Sequence, residues 1–227
     1  DKGYELDITE LNAAFEAQRF RFDYLIFDDC FMANIETLYD LRSTVGYVVA
    51  SPCEIMGDGF PYDRIIPHLF EETAVSERLA KTCREFWNLY ENEYQNTIWK
   101  EQSGCISLAV LSELDGLAGV MRRINEKEKQ PFELSELQYY KGGSTPLFYD
   151  LGHYVGLSCG DPALVDEFTA QLDRAFPADS RLHTARFYSA YGQGNHAVHH
   201  YSGVSVSEPS PRYAAENRLT NWYRDTH

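Results

Sequence analysis

DYLIFDDCFMANIE, residues 23–36, is the stretch on which the fold turns. Tyr24-Leu25-Ile26-Phe27 is apolar without alternation, the pattern of a strand covered on both faces in a parallel sheet. From Met32 the apolar positions fall at Met32, Ile35, Leu38 and Leu41, so the period has become helical. After a short turn Gly46-Tyr-Val-Val-Ala-Ser51 reads as a second buried strand. Strand, helix and strand make a βαβ unit, which predicts an α/β fold around a mainly parallel sheet. Between first strand and helix sit Asp28, Asp29 and Cys30. That is the carboxyl end of a strand, where open α/β sheets bind their ligands.

The rest of the chain extends this pattern. Helical spacing appears at 7–17, 75–94, 115–129 and 162–176, the last with Asp161 placed to cap it. Residues 103–111 and 199–206 read as strands. The loop 52–62 holds Gly57, Gly59 and Pro61 and is long for a simple connection. Residues 130–144 are polar and turn-rich, with an internal hinge expected at 141–144. The expected organisation is an α/β core over 1–129, a smaller mixed region over 130–195, and a closing strand with a tail over 196–227.

Composition sets outer limits. The chain has 227 residues and a formal net charge of -15. Such a surface repels nucleic acid and anionic membranes and draws in cationic ligands. No apolar run has the length of a membrane span. Five cysteines, Cys30, Cys53, Cys83, Cys105 and Cys159, are an odd number at irregular spacing, which argues against a disulfide framework or a structural zinc site.

Cys30 is the residue with chemistry. Backbone N–H groups at a helix start favour a thiolate, but two adjacent aspartates oppose it. On a strand, residues two apart share a face about 6.5–7 Å along the chain, so Asp28 and Cys30 look the same way and Asp29 looks the opposite way. At ~6 Å and an effective dielectric of ~20 the Asp28 charge costs the thiolate roughly 2–3 kcal/mol, about two pKa units. A substrate Lys or Arg neutralising Asp28 removes that cost, which makes Asp28 a specificity residue. The ordinary alternative has Asp29 capping the helix, Asp28 held by backbone donors and Cys30 inert in the core. Asp58 reaches towards the same place from the next strand end, or serves only the turn.

Phe27-Asp-Asp-Cys-Phe-Met32, Ile35-Glu36, Ala50-Ser-Pro-Cys-Glu-Ile-Met-Gly57 and Gly59-Phe-Pro-Tyr62 together resemble the clostripain family of bacterial cysteine peptidases. His200-Tyr-Ser-Gly-Val-Ser205 is similar to that family's closing strand. The resemblance implies a caspase-like α/β/α sandwich and cleavage after Arg or Lys. It makes Cys30 the nucleophile and gives the Cys30 N–H a share in holding the oxyanion; a basic P1 residue fits the roles that charge and strand-end position already suggest for Asp28 and Asp58. It also implies secretion or attachment to a bacterial cell envelope, and for some relatives calcium, although no compact Asp-rich loop here supports a calcium site. The family's catalytic histidine, in a glycine-flanked segment upstream of the cysteine, has no counterpart in this chain. By resemblance the chain is then the heavy chain of a self-processed precursor, incomplete without a light chain that carries the histidine. A Lys or Arg is expected just before Asp1.

The seven histidines present are poor substitutes. His199 and His200 would face opposite sides of a strand, and with His196 they lack an acid at ligand spacing. His68, after Pro67, is expected at a helix start, and His153 inside the smaller region. Glu54 is expected to be structural. A second functional class stands beside the peptidase: a non-catalytic α/β module whose acidic pocket binds basic peptides.

Overall fold

The computed structural model describes residues 7–19, 21–93, 102–141, 145–192 and 194–227. Helix α1 (Ile8–Ala17) opens on a capping box in which Asp7 accepts from the Glu10 N–H and Glu10 reaches back. Strand β1 (Phe22–Ile26) follows, then helix α2 (Ile35–Leu41) and strand β2 (Val45–Ala50). β1 and β2 are parallel, with Tyr24 opposite Tyr47 and Ile26 opposite Val49. Seven residues are too few for a helix to persist alone. What holds α2 is the Asn34 cap on the Thr37 N–H and the complete burial of Ile35, Leu38 and Leu41, each contributing about 1.5–3 kcal/mol.

Helices α3 (Tyr62–Leu69) and α4 (Val75–Asn88) come next. Apolar residues at helical spacing turn Leu79, Cys83 and Phe86 of α4 inward, and a wider turn at Leu89–Glu93 buries Tyr90. His68 therefore lies in the last turn of α3, not at a helix start, with Pro67 inside the helix. Strand β3 (Ser107–Val110) pairs with β2 antiparallel. The geometry of the connection explains that direction. The chain leaves β2 at its carboxyl end, runs out and back over two helices, and Tyr90 Oη bonds the Gly59 carbonyl at 2.8 Å near the point of departure. β3 starts at Ser107, opposite Ala50 at the carboxyl end of β2, and runs back against it.

Helix α5 (Leu114–Asn125), strand β4 (Phe148–Asp150), helix α6 (Leu151–Ser158) and helix α7 (Pro162–Ala175) follow, the last capped by Asp161. Strands β5 (Arg186–Ser189), β6 (Gly194–Ala197) and β7 (Ser205–Ser207) and helices α8 (Ala214–Asn217) and α9 (Asn221–Thr226) complete the chain. The β1-β2-β3 sheet is covered on both sides. Val48, Ala50 and Ala109 pack with α2, α5 and α7, whereas Val49 and Leu108 pack with α3 and α4. The sheet thus lies between two helical layers, as in an α/β/α sandwich. All five cysteines are free thiols.

The strand expected over 199–206 is a correction. Only Ser205–Ser207 is a strand, paired with β4, while β6 ends at Ala197 and pairs with β5. Gly203 between them has φ +80, and Ser202 is tied to Asp150 through both its N–H and its hydroxyl. Left-handed backbone and a side-chain anchor break the ladder there. Residues 142–144 of the expected hinge lie outside the described residues.

Candidate active site

β1 stops at Ile26, although the Phe27 N–H still bonds the Val49 carbonyl at 2.9 Å. Beyond it the chain leaves the strand. The Phe31 N–H reaches the Cys53 carbonyl at 3.1 Å and the Ala33 N–H reaches Ser51 at 2.9 Å, so residues 30–33 are laced to the segment that continues β2. Phe31 has φ 63, a left-handed conformation that costs a residue with a Cβ roughly 1–2 kcal/mol. Its ring stacks on Phe148 at 5.1 Å and lies 6.4 Å from Tyr191, contacts that offset this cost. The result is a sharp turn with half-buried Cys30 at its head.

The Ile55 N–H donates to Cys30 Sγ at 3.4 Å. This single donor favours the thiolate but is outweighed. Burial above all, then the charges of Glu54 and Asp29 and the neighbouring Cys53, hold the Cys30 thiol above its ordinary pKa. The expectation from strand spacing is corrected by the backbone, since β1 ends at Ile26. Asp28 and Cys30 do not share a strand face because the strand has already ended. Asp29 does not point away either: its Oδ1 accepts from the Cys30 N–H at 2.8 Å. Nor does it cap α2, a task that falls to Asn34.

Asp28 has a built environment of another kind. Tyr62 Oη donates to Asp28 Oδ2 at 2.8 Å, and burial followed by that bond and the Asp28 charge pushes the tyrosine up to about 12. Gly59, with φ +62, lies so close that a Cβ there would stand 2.6 Å from the same oxygen. The Phe60-Pro61-Tyr62 run thus has a physical role: it delivers the hydroxyl to the acid, while Tyr90 fixes the Gly59 carbonyl. Among the described residues Asp28 Oδ1 takes no hydrogen bond. Asp58 is exposed on the same turn, adjacent to Gly59.

Tyr62 was not foreseen as a partner of Asp28; its signal in the sequence was only its place in Gly59-Phe-Pro-Tyr62. Glu54 is buried, accepting from Ser189 Oγ at 2.7 Å and from the Ala190 N–H at 3.0 Å, so it ties the loop after β2 to the end of β5. Four of the histidines are engaged elsewhere. His68 Nδ1 lies 2.6 Å from Glu71, His196 Nδ1 lies 3.0 Å from Tyr139 Oη, and His153 accepts from the Gln138 N–H and stacks on His200 at 3.6 Å. No histidine is among the hydrogen-bond partners of Cys30 in the described residues. Among those residues no group of three or more His, Cys, Asp or Glu is placed to hold a metal ion, and no step is assigned to calcium.

A strained turn that presents a cysteine, with an acid held beside it by a Gly-Phe-Pro-Tyr segment, is the arrangement to compare with known proteins. The sequence profile of the clostripain family, peptidase C11, matches residues 1–182. The chain belongs to the clostripain family. It is a cysteine peptidase, not a non-catalytic peptide-binding module. Among solved clostripain-family structures, a clostripain from Bacteroides thetaiotaomicron in complex with the peptide inhibitor BTN-VLTK-AOMK is 31% identical, with a TM-score of 0.87 over 100% of this chain and 97% of that one. A secreted C11 cysteine protease of the same organism, iotapain, is 32% identical with a TM-score of 0.87, over 99% of this chain and 61% of that chain. An inactive zymogen C11 protease from Parabacteroides distasonis is 25% identical with a TM-score of 0.83, over 97% of this chain and 62% of its own. The chain therefore spans about three-fifths of the length of the latter two clostripain relatives. No curated protein sequence matches it. No helix among the described residues is long and apolar enough to cross a membrane.

Proposed function

We propose that this cysteine peptidase is an endopeptidase cleaving after Arg or Lys, with Cys30 as nucleophile, Asp28 at the base of the P1 site and Asp58 at its rim. The observation that carries the specificity is the Asp28 carboxylate, half-occupied among the described residues: Tyr62 takes Oδ2 and leaves Oδ1 for a cation. A guanidinium or ammonium there meets a pre-oriented acid, the favourable case for a charge-assisted bond. The peptide part of the inhibitor named for the Bacteroides relative, VLTK, also ends in lysine.

The raised Cys30 thiol needs a base to become a nucleophile and an acid to protonate the leaving amine. We assign both to a histidine on a light chain from the same precursor, cut by the enzyme itself. Two observations support this. β1 is the outer strand of its sheet, with β2 its only partner among the described residues, so an added parallel strand has an edge to join. Two relatives are also longer than this chain, and one of them is an inactive zymogen. Secretion or attachment to the cell envelope is the accompanying location, by analogy with the secreted relative.

The test is to label the assembled enzyme with an arginyl chloromethylketone and locate the adduct by peptide mass mapping. Rapid labelling of Cys30, protected by an Arg peptide and not by a Glu peptide, is expected. Labelling of another cysteine, or equal protection by both peptides, overturns the reading.

A further inference from the structure

The N–H groups around the nucleophile do not have equivalent partners. Those of Phe31 and Ala33 end on the backbone carbonyls of Cys53 and Ser51, which cannot leave without unravelling the turn. The Cys30 N–H ends instead on a side chain, Asp29 Oδ1, at 2.8 Å. Asp29 is exposed, so a rotation about its side-chain bonds is enough to carry the carboxylate into water.

With Cys30 as nucleophile, the N–H of its own backbone is a donor for an oxyanion formed next to Sγ. When Sγ bonds the scissile carbon, the carbonyl π electrons move to oxygen and the thiol proton passes to the base. The new O⁻ then requires a donor. A carboxylate already on that donor competes for it and repels the same developing charge.

We propose that Asp29 is a gate on the oxyanion site, holding the Cys30 N–H until the substrate carbonyl displaces it and so restraining the rate of attack. This rests on Cys30 being the nucleophile. Asp29 touches the oxyanion donor and not the scissile bond, which makes it a positioning residue acting against turnover. The geometry also explains why a second acid follows Asp28 directly: Asp28 faces Gly59 and Tyr62, and Asp29 turns back on the backbone of Cys30. The charge of Asp29 also helps hold the thiol in its neutral form, so the resting enzyme is restrained on both counts.

The experiment compares wild type, Asp29→Asn and Asp29→Ala in the enzyme assembled with its upstream chain. Three rates are measured: turnover of an Arg peptide, inactivation by an arginyl chloromethylketone, and alkylation by iodoacetamide. Asp29→Ala is expected to raise kcat about tenfold or more, a fraction of the ~10²–10³ that one oxyanion donor is worth, with KM little changed. Asp29→Asn keeps a neutral acceptor and falls between. Chloromethylketone inactivation, in which Sγ adds to the ketone carbonyl to give an oxyanion and then takes the adjacent methylene with loss of chloride, rises with kcat, whereas iodoacetamide loses iodide by direct displacement at its methylene, forms no oxyanion and gains far less. An equal gain with iodoacetamide means that only thiol acidity has changed and overturns the gate. So do unchanged or slower rates in both variants while Cys30 is still labelled. If Cys30 is labelled in none of the three proteins, the nucleophile assignment fails and the gate with it.

Discussion

Replacing Asp28 by Asn keeps the shape of the side chain and an acceptor for Tyr62 Oη, now 2.8 Å from Oδ2, and removes one charge. A P1 cation ~4 Å from the carboxylate gains ~4 kcal/mol at an effective dielectric of ~20 and ~1 kcal/mol in water. Asp28 is exposed in the free chain, and a bound substrate covers it, so the gain lies between these limits, at ~2–3 kcal/mol. At 1.36 kcal/mol per decade that predicts a fall of about 10² in kcat/KM for Arg and Lys substrates. The assay is steady-state cleavage of matched peptides with Arg, Lys or norleucine at P1, by wild type and Asp28→Asn. Norleucine turnover should change by less than about threefold, because a neutral side chain has no charge to lose. Tyr62→Phe supplies a second reading of the same site. It removes the hydroxyl that orients Asp28 and should cost about 0.5–1.5 kcal/mol, up to about tenfold for basic P1 residues. An unchanged Arg-to-norleucine ratio in Asp28→Asn would refute the assignment and point to Asp58.

Cys30→Ala should abolish peptide cleavage with no loss of thermal stability, and expressed with its upstream sequence it should remain a single uncut chain on a denaturing gel; processing of the purified mutant in the absence of other proteases would sink self-cleavage. Gly59→Ala should lower Tm, since φ +62 alone costs a Cβ-bearing residue roughly 1–2 kcal/mol. It should also cut the preference for basic P1 residues about tenfold or more, as Asp28 is displaced from Tyr62; a normal preference would mean that the acid does not rest on this glycine. The Glu36 carboxyl is buried, with Oε1 accepting from the Ser207 N–H and Oε2 unpartnered among the described residues, and burial raises it to about 7. An acid raised in the folded state binds its proton longer there than in the unfolded chain. Its contribution to stability is therefore full below its ordinary range near 4.5 and is lost as pH rises towards 7, by up to ~3 kcal/mol. Denaturant unfolding from pH 4.5 to 7.5 should show that slope in wild type and its loss in Glu36→Gln; parallel curves would exclude it.

The sheet and its helices were legible where the pattern was local. Tyr24 to Phe27 and Gly46 to Ser51 are apolar runs that only a doubly covered strand tolerates, and the Leu79, Cys83, Phe86 spacing of α4 needs no partner to be read. The direction of β3 was not legible, because it depends on two helices and on where the second returns the chain. At the site, Cys30 was raised as nucleophile by family resemblance, whereas Asp28 and Asp58 came from charge and from their places at strand ends. Strand alternation does not reach Cys30, four residues past Ile26, because the chain has already entered a turn governed by Phe31. The Tyr62–Asp28 bond joins residues 34 apart, and the Asp29 contact depends on a side-chain rotation; neither leaves a periodic trace.

The fit of Gly59 against Asp28 also sets a condition on how the specificity of such an enzyme can drift. With the acid in place, position 59 admits no side chain, and a hydroxyl at position 62 has a charge to satisfy. Once the acid is lost, both demands lapse together, and returning to a basic preference would require clearing position 59 before an acid at 28 could be seated again. Positions 28, 59 and 62 should therefore change as a set among relatives, and a variant library aimed at new P1 preferences should randomise all three at once rather than the acid alone.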